Sequence, residues 1–71
     1  MSIFTNIAYK RLVDYGFIVG TFPHGFDVSV HHEKICYTDV EAIKEILWAS
    51  NCDYLDISNI ESNTVRVILK E

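Results

Sequence analysis

His24, His31, His32 and Cys36 fall within one short stretch of this 71-residue chain. Imidazole and thiolate are the donors that zinc and similar metals prefer. His31 and His32 are adjacent, however, and on an extended strand neighbouring side chains point to opposite faces, so both cannot ligate one ion without a bulge. The spacings that mark metal centres (CxxC, HxxxH, HExxH) are absent. The expectation is histidines at a strand edge or on the surface, with no metal and no other cofactor. Covalent catalysis has one candidate pair, Cys36 with His31 or His32, and nothing nearby fixes an orienting third group or an oxyanion hole. Asp53 and Asp56 are close enough to share a site, but two acids just after a helix usually cap or solubilise a loop. Gly16, Gly20 and Gly25 are too dispersed for a phosphate-binding loop. No catalytic residue is assigned.

The elements that must position these side chains belong to one domain spanning residues 1–71, with no linker, internal repeat or low-complexity stretch. Hydrophobic residues make up 49% and charged residues 23%, the balance of a globular domain rather than a disordered tail. Ser2 can cap a first helix over residues 3–15, with Ile3, Phe4, Ile7, Ala8, Leu12 and Tyr15 at helical spacing and Gly16 as its stop. Phe17–Phe22 and Phe26–His32 read as strands around a Pro23-His24-Gly25 turn, the second alternating Phe26, Val28 and Val30 with polar residues. Ile35–Tyr37 reads as a short third strand. A second helix starts at a Thr38/Glu41 capping box, turns Val40, Ile43, Ile46, Leu47 and Ser50 inward, and ends near Asn51. Tyr54–Ile60 and Thr64–Leu69 complete the pattern as two strands, Leu55 and Ile57 giving the first a single apolar face and Val65, Val67 and Leu69 giving one to the second. The expected class is α+β, order αβββαββ: a mainly antiparallel sheet with two helices on one face.

Charge narrows the partners. The net charge is −4, and the six basic residues form no cluster beyond Lys10-Arg11. Direct nucleic-acid binding and binding to an anionic membrane surface are both disfavoured. No apolar run reaches the roughly 20 residues that span a bilayer. No signal peptide is visible, so the expected compartment is the cytoplasm, where Cys36 and Cys52 stay thiols. The intervening helix would also hold the two cysteines roughly 18 Å apart, beyond the about 7 Å that a disulfide allows.

Two side chains stand out on the helices. With the second helix's apolar stripe turned inward, Trp48 projects to the opposite side beside Glu41, Lys44 and Glu45. It is either an interface anchor or core beneath a covering segment. Arg11 falls between Phe4 and Ile7 inside the apolar arc of the first helix, where it can snorkel, pair with Asp14 or touch a partner. Val13 and Tyr9 lie outside that arc, which suggests a dimer contact or a second covering element.

The helix, Gly16-Phe17, a strand, and His24 in a turn loosely resemble the small HicA-type RNA-cleaving toxins over about half the chain. That resemblance implies RNA cleavage with His24 as the catalytic histidine. The chain departs from it in being acidic, in lacking basic residues around His24 and in adding a C-terminal hairpin. In style, a short, acidic, isoleucine-rich chain also looks like phage and mobile-element accessory proteins, some of which block basic nucleic-acid-binding clefts. The function expected first is a small acidic, non-enzymatic protein-binding module or inhibitor. It would meet a basic partner surface through Trp48, Glu41, Glu45 and Arg11, with homodimerisation an option. A HicA-like nuclease using His24 is the alternative.

Overall fold

The computed structural model describes residues 3–70, so the Ser2 cap lies outside the described residues. Two helices, α1 (Ile3–Tyr15) and α2 (Tyr37–Ala49), accompany four strands: β1 (Ile18–Phe22), β2 (Gly25–Ser29), β3 (Tyr54–Glu61) and β4 (Thr64–Leu69). All pairings are antiparallel and the sheet order is β1-β2-β4-β3. The class is α+β, as expected, but the order is αββαββ. The expected strand at Ile35–Tyr37 does not form. Ile35 N–H is drawn to the β3–β4 turn instead, donating to the Ser62 carbonyl at 2.9 Å, and upstream of it Val30 N–H donates to that of Asn63 at 3.0 Å.

One face of the sheet carries Phe26 and Val28 from β2 and Val65, Val67 and Leu69 from β4. These residues, with Ala8 and Leu12 of α1 and Ile43 and Leu47 of α2, form the buried core. Inward residues every second position on the strands and every third or fourth on the helices give this pattern. The stripe of α1 is narrower than its sequence suggests. Thr5, Ala8 and Leu12 are buried, whereas Ile3, Phe4, Ile7 and Tyr15 are exposed. Small side chains at positions 5 and 8 let the helix sit close, and the rest of the apolar arc overhangs the sheet. Tyr9, outside that arc, is half-buried with its ring 6.4 Å from that of Phe26. On β3, register shifts fall at Leu55 and Ile60. The first pushes Leu55 out to 65% exposure while Ile57 stays against the core, so the two do not share an inner face.

Both helices stop in the same way. Gly16, at φ 120°, donates to the Val13 carbonyl and Phe17 to that of Leu12. Asn51, at φ 53°, donates to Trp48 and Cys52 to Leu47. These are paired Schellman bonds around a left-handed residue. At the start of α2 the cap lies two residues earlier than Thr38. Cys36 is the N-cap, and its N–H donates to Asp39 Oδ2 at 2.8 Å.

The outer sheet face is centred on Asp27 and Arg66, directly opposed across β2 and β4. Arg66 Nε and Nη2 donate to the two Asp27 oxygens at 2.8 and 3.0 Å, and the guanidinium lies 5.1 Å from the Phe22 ring centre. The two-point bond to Arg66 holds the Asp27 carboxyl below its ordinary 3.8, against the opposing pull of partial burial. A depressed folded-state value stabilises the fold fully above the unfolded value, and that contribution is lost as pH falls through the lower one. Acid unfolding followed by circular dichroism will therefore show wild type losing this increment below about pH 3.8, whereas Asp27→Asn lacks it throughout. Gly25 supplies a second check. A Cβ there would meet the Val67 carbonyl oxygen at 1.8 Å, whereas one at Gly20 would meet nothing closer than 4.0 Å. Gly25→Ala should cost about 3 kcal/mol in denaturant unfolding and Gly20→Ala no more than about 0.5 kcal/mol.

Candidate functional site

The contacts between the helices fix which way α2 faces. Tyr15 shares a groove with Ala42, Glu45 and Ile46, and Arg11 reaches the far end of α2, so the helices run in opposite directions. Arg11 Nη1 donates to the Ala49 carbonyl at 3.0 Å and to Ser50 Oγ at 3.2 Å. The last turn of α2 carries no basic residue of its own. Arg11 therefore brings a cation from α1 to the negative end of the α2 dipole. It does not form an ion pair with Asp14.

Ile43 and Leu47 are buried against the sheet, and Trp48 stands on the far side at 80% exposure. No segment among the described residues covers it. The indole separates two shallow hollows, one lined with it by Glu41, Lys44, Glu45 and Tyr54, the other by Cys52, Asp53, Tyr54 and Lys70. Glu41 is braced by Lys44 Nζ at 3.5 Å and accepts from the Tyr37 hydroxyl at 3.2 Å. The Glu45 carboxylate makes no ion pair among the described residues. The structure thus brings Trp48, Glu41 and Glu45 onto one surface, while Arg11 lies across Glu45 in the groove between the helices. Tyr54 is the member that sequence reasoning missed. Periodicity marks it only as the first residue of a strand, and its nearness to Trp48 depends on how the chain turns after α2.

The other candidates lie elsewhere. His24 is exposed in the two-residue β1–β2 turn, where its carbonyl accepts from Leu69 N–H at 2.8 Å and its ring has no partner among the described residues. β2 ends at Ser29, so His31 and His32 leave the strand and both line one cleft with Tyr15, Gly16, Phe17, Val30 and Asp39. The alternation expected to divide the two histidines does not apply there. Both cysteines are free, Cys36 exposed and Cys52 buried. Burial pushes the Cys52 thiol up, partly offset by a hydrogen bond with Thr5, while the nearby Asp53 charge adds to the rise.

No helix among the described residues is long and apolar enough to cross a membrane. No protein-family model matches the chain, and no significant match was found to a curated protein or a solved structure.

The exposed position of Trp48 has a direct check. The chain's single tryptophan should emit as a solvated indole and be readily quenched by acrylamide in the native state. Trp48→Ala should change stability by no more than about 0.5 kcal/mol, whereas Arg11→Ala, which strips the cation from the end of α2, should cost about 1 kcal/mol.

Proposed function

We propose that the protein is a non-enzymatic binding module. The outer surface of α2 docks a protein partner with a basic face in the cytoplasm, as an inhibitor of the kind found among phage accessory proteins. The observation that carries this reading is Trp48, a large aromatic at 80% exposure on a regular helix. Burying a tryptophan in a partner's pocket is a common source of interface affinity. Tyr54 extends the apolar surface. Glu41, Glu45 and Asp53 border it, and Lys44 already neutralises part of the Glu41 charge. With a net charge of −4, the field favours approach to a cationic surface. In this reading Arg11 acts at the margin of the surface, by holding the end of α2 in place.

The test is affinity capture from lysate of the source cell with nuclease-treated wild type, Trp48→Ala and Glu45→Lys baits, the bait's own oligomeric state being read by light scattering. A stoichiometric basic partner that survives nuclease, weakens with added salt and is lost with both variants is the expected result. The proposal fails if capture is indifferent to Trp48→Ala, or if the bait recovers only itself. RNA cleavage that is lost in His24→Ala and kept in Trp48→Ala would also overturn it, in favour of the nuclease.

A further inference from the structure

The start of α2 brings together three metal-binding side chains that sequence spacing does not mark as a set. His32 comes from the bend after β2, Cys36 is the helix N-cap and Asp39 sits in the first turn. Their donor atoms all lie within 4.8 Å of one another. The geometry points to a binding site for one zinc-class divalent ion held by His32, Cys36 and Asp39, independent of the Trp48 surface.

Tetrahedral zinc with bonds of about 2.0–2.3 Å sets its ligand atoms about 3.3–3.7 Å apart. His32 Nε2 and Asp39 Oδ2 are already 3.2 Å apart. The Cys36 thiol's hydrogen bond to the Lys34 carbonyl is long, 3.7 Å, so giving it up for an ion loses little. Asp39 Oδ2 is also the oxygen that accepts the Cys36 N–H capping the helix at 2.8 Å, and its second lone pair is the one an ion would take. Bound as thiolate and carboxylate, Cys36 and Asp39 would together offset the charge of a dication there. One imidazole, one thiolate and one carboxylate suit zinc or cobalt(II) rather than calcium or magnesium, which take oxygen ligands. The cleft shared by His31, His32 and Asp39 leaves room for a fourth ligand, water or the His31 imidazole. Such an ion would fasten the 30–36 segment to α2.

The test uses tag-free protein titrated with cobalt(II), followed by zinc competition and native mass spectrometry. One metal per chain is expected, with a thiolate-to-cobalt band in the near ultraviolet that zinc abolishes. Cys36→Ser should remove the band. His32→Ala should weaken binding by at least about tenfold, the scale of even an outer-shell loss. His24→Ala should change neither, and circular dichroism should show each variant folded. Absence of the band, its persistence in Cys36→Ser, or unchanged affinity in His32→Ala would each overturn the site.

Discussion

Strands β2 and β4 meet across 39 residues of sequence at Asp27 and Arg66, and their pairing makes one sheet out of two helix–hairpin units. Each unit has a 13-residue helix followed by two strands, and neither hairpin could bury its inner face alone. Placing β4 between β2 and β3 puts the second unit beside the first in roughly two-fold relation, with the Asp27–Arg66 pair near the axis. The close approach of Gly25 to Val67 lies on this same seam. Loop closure over that span is an entropic cost that local contacts do not offset until the seam forms.

The orientation of α2 follows from that arrangement. The helix must cross the same sheet face as α1 and run against it, and Arg11 fixes its far end. Once Ile43 and Leu47 are committed to the core, 100° per residue leaves Trp48 nowhere to go but outward. The cleft near the start of α2 has the same origin, because the bend after β2 must double back to reach the helix N-cap.

Much of this was legible in the sequence. Helix periodicity gave both helices, Gly16 gave the end of the first, and the position of Trp48 opposite Ile43 and Leu47 followed from the wheel alone. What was not legible depended on tertiary partners. Hydrophobicity placed Ala8 and Leu12 inward but could not reveal that Thr5, rather than Ile3 and Phe4, would join them, because close packing favours small residues there. Bulges cannot be read from alternation, so Leu55 was placed on the wrong face. Ile35–Tyr37 looked like a strand because of the apolar Ile35. It is buried by hydrogen bonds to a turn some thirty residues away, and this also brings His32 to Asp39. The repeat of helix and hairpin left no trace as repeated residues, since similar backbone paths are reached with Gly16 in one unit and Asn51 in the other.

The bulges of β3 have a bearing on how this molecule behaves in a crowd. An open sheet has two rims, and an unbroken rim invites a strand from another chain to zip on by main-chain hydrogen bonds. Here the longer rim is interrupted at Leu55 and Ile60, and the other, β1, is only five residues long with Gly20 at its middle. Neither is a good template for runaway strand addition. What the rims withhold from neighbouring strands leaves side chains, not a bare backbone ladder, as the surface this fold presents to other molecules.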